Sequence, residues 1–160
     1  MTEKGTLDVD AIEAIELVPH RSNMLWLDKV VHVDDVSVAA LAQITESNFL
    51  LRNACLPVWT GVEFMAQTIA AWSGYQAKNS GRPVAIGFLL GTRRFEAHCQ
   101  QFKLGETLRI EARKELLAEN GLAMFDCRIV VNNQSVATAK LSVYEPADVF
   151  GFLQNIKGEI

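Results

Sequence analysis

Between Thr60 and Ala77 the chain carries one residue that is charged at neutral pH, Glu63. Around it, small residues (Gly61, Ala66, Ala70, Ala71, Gly74) alternate with bulky ones (Phe64, Met65, Ile69, Trp72) on every side of a helical projection. A helix that is apolar all round is expected to be buried, so this segment predicts a central helix with the rest of the chain folded about it. An unpaired carboxylate in such a place is too costly to persist, so Glu63 must be paired, capping or catalytic.

The chain has 160 residues, 49% of them apolar, which suits one domain with a real core and is short for two. The net charge of -4, with cations scattered apart from short clusters such as Arg93-Arg94, leaves no electrostatic footprint for nucleic acid. The N-terminus lacks a basic-then-apolar leader pattern. The longest uncharged run contains Gln67, Ser73, Gly74 and Gln76, so no membrane span and a cytoplasmic location are expected. Cys55, Cys99 and Cys127 are odd in number, lack CxxC spacing and lie among apolar or neutral neighbours. They read as buried thiols, with no disulfide, no metal and no cofactor.

Residues 9–17 place Ile12 and Ile15 at near-helical spacing and Pro19 after them, which predicts a short helix. Residues 25–33 and 36–44, rich in β-branched and apolar residues and split by Asp34-Asp35, predict a hairpin. Residues 45–57 form a long connection whose Phe49, Leu50, Leu51 and Leu56 suggest that it packs on the protein. After the helix, Lys78 to Pro83 is a breaker cluster. Strands are then expected at 84–96, either as one long strand or as one bulged at Gly87 and Gly91, and at 107–118, 122–131 and 135–144. The turns at 119–121 and Asn132-Asn133 supply residues tolerant of positive φ, so the last three strands read as an antiparallel meander. Two strands, one apolar helix and four strands give an α+β fold in which a sheet curls around the helix. The tail from Pro146 carries Phe150, Phe152, Leu153 and Ile156, which suits docking on the surface or on a partner.

Four stretches carry a family resemblance. Leu17-Val-Pro-His20-Arg21, followed by Asp28-Lys29-Val30, is similar to Leu-Pro-His-Arg and Val-Asp-Arg-Val; Glu63-Phe-Met-Ala-Gln67 is similar to Glu-Ala-Met-Ala-Gln. The stretch from Ile86 to Phe95 is similar to Gly-Ile-Asp-Lys-Ala-Arg-Phe, and Leu104-Gly105-Glu-Thr-Leu108 to Pro-Gly-Asp-Gln-Leu. In this order the chain resembles the hot-dog-fold 3-hydroxyacyl-(acyl carrier protein) dehydratases of the FabZ/FabA type, with departures that resemble the ApeP-like subgroup of aryl polyene synthesis. The resemblance implies a hot-dog fold over residues 1–160, a homodimer or heterodimer, and a substrate delivered on an acyl carrier protein. One departure bears on mechanism. The family's catalytic histidine, in Gly-His-Phe-Pro-Gly fourteen residues before the helix carboxylate, falls on Phe49 here.

Dehydrating a 3-hydroxyacyl thioester needs a base at C2, a proton donor to the C3 hydroxyl and polarisation of the thioester carbonyl. Glu63 suits the donor, with burial expected to favour its protonated form. Thr60-Gly-Val-Glu63 also reads as a capping box, in which Glu63 only bonds the Thr60 N–H. Of the histidines, His32 sits mid-strand and His98 at a strand end. His20 is the candidate base, with a purely structural loop role as the alternative. The resemblance places the oxyanion donors at the Val58 and Trp59 N–H groups. It also suggests Phe49, Trp59, Phe64 and Gln67 in the acyl tunnel, and Arg93, Arg94 and Lys103 against the carrier protein. Two other functions fit the missing histidine: a hot-dog thioesterase whose helix carboxylate activates water, and a non-catalytic subunit of a heteromeric dehydratase.

Overall fold

The computed structural model describes residues 11–158. A seven-stranded antiparallel sheet, in the order β1-β2-β3-β7-β8-β9-β5, wraps one face of a 19-residue helix. The strands are β1 (Ile12–Glu13), β2 (Lys29–Val33), β3 (Ser37–Gln43), β5 (Phe88–Ala97), β7 (Thr107–Leu117), β8 (Leu122–Val131) and β9 (Gln134–Tyr144). Short β4 (Cys55–Pro57) and β6 (Gln101–Lys103) pair with each other in a second sheet. Helix α1 spans Gly61–Asn79, and α2, Val149–Gly158, closes the described chain.

The meander forms from period-two patterning and two turns. Leu108, Ile110 and Ala112 of β7 point inward, as do Ala123, Phe125, Cys127 and Ile129 of β8. Arg109, Glu111, Arg113 and Arg128 alternate outward, as one solvated sheet face requires. Asn132 and Asn133 both take the left-handed region (φ 50° and 63°), the geometry of a tight two-residue hairpin, and Gly121 (φ 93°) turns the preceding one. Against this face α1 buries Phe64, Met65, Ile69 and Trp72. Trp72 Nε1 and Gln76 Nε2 both donate to the Asp34 carbonyl, at 3.0 and 2.9 Å, fastening the helix to the β2–β3 turn.

Several expectations change. No helix forms over the described part of 9–17, residues 9 and 10 lying outside the described range. Ile12 and Glu13 pair with β2, and Ala14–Glu16 make a 3-10 turn, because Ala14, Leu17 and Val18 are drawn into the core. Strand β5 begins at Phe88, leaving Gly87 outside it. Its register shifts once across Leu89/Gly91, as expected at Gly91, and again between Arg93 and Glu96, where Arg94 takes φ 52°. The tail forms α2, whose Phe152 packs on Phe88 and Tyr144 with ring centroids 5.0 and 5.3 Å apart. Nor is α1 buried all round: Val62, Glu63, Ala66, Ala70 and Ser73 line a face that is only half covered.

Candidate active site

Two elements meet at Glu63. Residues 14–20 run across α1, close enough that a Cβ on Gly74 would stand 1.8 Å from the Leu17 carbonyl oxygen, so only glycine fits there. Buried Leu17 and Val18 anchor this segment, and Arg21 Nη1 donates to the Val18 and His20 carbonyls at 2.7 Å each. The result sets His20 Nε2 3.9 Å from Glu63 Oε1. That gap exceeds a hydrogen bond and suits two groups that meet through a third.

Glu63 is held from within its own helix. Gln67, fully buried one turn on, donates Nε2 to Glu63 Oε1 at 2.8 Å and to the Met24 carbonyl at 2.8 Å, while its Oε1 accepts the Trp26 N–H at 2.9 Å. The capping box does not form. The Thr60 hydroxyl donates to the Pro57 carbonyl at 2.6 Å, and Thr60 already has helical backbone angles, so its side chain is not placed to cap. The expected burial of Glu63 is not found either: its side chain is 38% exposed, because it lies on the uncovered face of α1.

His20 is half buried, with its Nδ1 buried and without a hydrogen-bond partner among the described residues. Burial lowers its pKa below the ordinary 6.5; Glu63 opposes that shift and Arg21 reinforces it. The neutral imidazole, the form able to accept a proton, is therefore favoured.

Glu63 lies between two cavities. One, of about 200 Å³, is a groove along α1 that starts at His20 and Glu63 and continues past Ala66 and Ala70 to Ser73, walled by Phe88, Leu89 and Val143. The other, of about 380 Å³, holds Met24, Trp26, Phe49 and Trp59 around Glu63. Phe49 and Trp59 therefore border the site, Phe49 packing edge-on to Trp26 at 6.1 Å. Phe64 does not line either cavity at Glu63: its ring, 1% exposed, stacks in the core against Trp26 and Phe102. Gln67 lines neither cavity, and it grips Glu63 instead; sequence reading missed this role, although its i, i+4 spacing from Glu63 was the available signal. The Val58 N–H is spent on the Gln100 carbonyl at 3.1 Å, because β4 pairs with β6 there, so it is no oxyanion donor. Trp59 follows it in the 3-10 turn Val58–Thr60, whose first N–H groups have no partner within the turn.

The remaining candidates separate. His32 bonds Asp34 and Ser37 at 3.1 and 2.9 Å within the β2–β3 hairpin, and His98 is exposed in a turn. Arg93 and Arg94 are exposed on β5, Arg94 beside Arg109, Arg113 and Arg128 on the outer sheet face, whereas exposed Lys103 is on β6. Cys127 is buried, its thiol pushed up to about 12 by burial and then by Asp126. Cys55 and Cys99 are free and only half buried. No helix among the described residues is long and apolar enough to cross a membrane.

A sheet curled about one long helix, with a carboxylate at the head of that helix facing a histidine, defines a hot-dog protein with the parts of an acid–base site. The chain belongs to the ApeP-like dehydratase family, whose model matches residues 12–154. It is similar to a chain of the dehydratase heterocomplex ApeI:P from Xenorhabdus doucetiae, with a TM-score of 0.84 and 28% identity over 91% of this chain and 97% of that one. It is 28% identical to the 3-hydroxyacyl-[acyl-carrier-protein] dehydratase FabZ of Bartonella quintana, over 87% of this chain and 93% of the relative. It is 36% identical to the FabZ of Methylobacterium radiotolerans, over 51% of this chain, and there it spans about half of the relative, 54%. The E. coli PaaI protein, from a phenylacetic acid degradation operon, shares the fold at a TM-score of 0.56 and 13% identity, over 72% of this chain and 80% of that one.

Proposed function

We propose that this chain is a 3-hydroxyacyl-[acyl carrier protein] dehydratase that removes water from a 3-hydroxyacyl thioester to give the 2-enoyl thioester. The observation that carries the reading is His20 Nε2 facing Glu63 Oε1 across 3.9 Å at the head of an apolar groove, in a chain of a dehydratase family.

Neutral His20 takes the C2 proton through Nε2. The electron pair released forms the C2–C3 double bond as the C3–O bond breaks. The acid form of Glu63, held at Oε1 by Gln67, delivers its proton from Oε2, and the oxygen leaves as water. His20 is then cationic and Glu63 anionic, and a proton passing between them through water resets the site. The Trp59 N–H is the donor proposed for the thioester oxygen.

The half-covered face of α1 and the free edge of β5 call for a partner, and the similar ApeI:P structure is a heterocomplex. The reading therefore includes pairing with a second hot-dog dehydratase chain, and delivery of substrate on an acyl carrier protein that meets Arg93, Arg94 and Lys103. The test is loss of enoyl absorbance as purified protein hydrates a 2-enoyl thioester, with Glu63→Gln and His20→Ala beside wild type. Turnover that disappears in both folded variants supports the assignment. Release of free thiol without loss of the enoyl group would replace it with thioester hydrolysis.

A further inference from the structure

The groove that begins at Glu63 ends in polar groups. Along α1, Ser73 lies ten residues beyond Glu63, which at 1.5 Å per residue is about 15 Å away. The wall between is apolar: Ala66, Ile69 and Ala70 from the helix, Leu89 and Val143 from the sheet. At the far end the Ser73 hydroxyl donates to Glu145 Oε2, and Tyr144 stands beside them. Glu145 is half buried and joins no ion pair among the described residues, and its Oε1 accepts no hydrogen bond from them. A second cavity, of about 630 Å³, shares Ser73, Tyr144 and Glu145 as a wall.

A groove built only for hydrocarbon gains nothing from a carboxylate at its end. A methyl terminus pushed against Glu145 strips water from the carboxylate and returns no hydrogen bond, whereas a hydroxyl or another donor restores one. Sites that hold an acceptor for a substrate group discriminate most strongly against the analogue that lacks it. Resting on the dehydratase reading, we infer that this groove selects acyl chains whose distal end carries a hydrogen-bond donor about 12 Å from the reacting carbon, one hydrogen bond short of Glu145, its acceptor, at about 15 Å. Ser73 fixes the orientation of that acceptor. The inference concerns specificity and leaves the roles of His20 and Glu63 as they are.

Three pantetheine thioesters test it: crotonyl, trans-2-dodecenoyl and 12-hydroxy-trans-2-dodecenoyl, hydrated by the protein as purified, together with any subunit that accompanies it. From C3, the extended C12 chain spans roughly 11 Å, and a hydroxyl hydrogen bond adds about 2.8 Å. Wild type is expected to favour the hydroxylated chain over its methyl-ended twin by about tenfold or more in kcat/KM, the scale of one hydrogen bond to a charged acceptor. In Glu145→Leu that ratio falls to near one, and in Glu145→Gln, which keeps an acceptor, part of it returns. Crotonyl hydration with equal rates on the two long chains, or a ratio unmoved in Glu145→Leu, overturns the inference and leaves the dehydratase reading standing. Failure to hydrate any of the three sinks both.

Discussion

At the scale of single residues the proposed site rests on a division of surroundings. Burial lowers the His20 pKa and so favours its neutral form, while Glu63 stays half open and is fixed by one oxygen. Removing the proposed acid with Glu63→Gln is expected to lower kcat by about 10²- to 10⁴-fold with the fold intact, checked by enoyl absorbance beside circular dichroism. Because desolvation lowers the His20 pKa, the acid limb of kcat/KM should lie below pH 6.5, and an NMR titration of the imidazole should locate the same group. Since Glu63 raises that pKa, Glu63→Gln should move the titration lower still. A limb at or above 6.5, or no movement in the variant, would count against the pairing. The linkage has a definite sign: a histidine whose folded pKa is depressed binds fewer protons folded than unfolded, so stability is fully present above 6.5 and erodes as pH falls toward the folded value. Urea midpoints should therefore drop less between pH 7 and 5 in His20→Ala than in wild type. Replacing Gln67 by Leu frees Glu63 and leaves the part-buried Trp26 N–H and the Met24 carbonyl without Gln67, an expected loss of about 1 kcal/mol accompanied by a fall in kcat.

Among elements, the one that carries His20 depends on a glycine outside it. Gly74→Ala would gain about 0.5–1 kcal/mol from helix propensity, yet its Cβ would meet backbone at Leu17, so the steric term of about 1–3 kcal/mol wins. The 14–20 segment must then shift, and activity should fall further than stability alone explains, a difference that chemical denaturation and kcat/KM measured together would expose. The elements that could be read from sequence were those with strong local signals: α1 from its uncharged run, β7 to β9 from alternation and the Asn132-Asn133 turn. Those that could not be read were decided by partners distant in sequence. Ile12 and Ile15 fit a helical period, but pairing of β1 with β2 wins locally, and three-residue β6 exists because β4 lies opposite it. The capping box at Thr60 was legible as a pattern and fails because Gln67 and Pro57 offer nearer partners.

At the scale of the whole molecule, the assembly depends on what covers α1. A segment with one charge in eighteen residues should be buried, and half of its circumference is; the face with Ala66, Ala70 and Ser73 stays half open beside Leu89 and Leu90 of β5, which are 43% and 57% exposed. Strand β5 ends the sheet with ten residues, whereas the opposite edge, β1, has two. A long sheet edge that opens with Phe88, Leu89 and Leu90, next to an apolar helix face, is a surface suited to being covered, and the proposed second hot-dog subunit would cover both at once. Ala70→Arg on the helix and Leu90→Lys on the edge place charges there without touching His20 or Glu63. Each is expected to break the proposed association, seen as a slower-sedimenting species in analytical ultracentrifugation. Because Ala70 also walls the groove, Leu90→Lys is the cleaner variant: loss of turnover on its dissociation would mean that the partner completes the site, while full turnover by the dissociated chain would mean that His20 and Glu63 suffice.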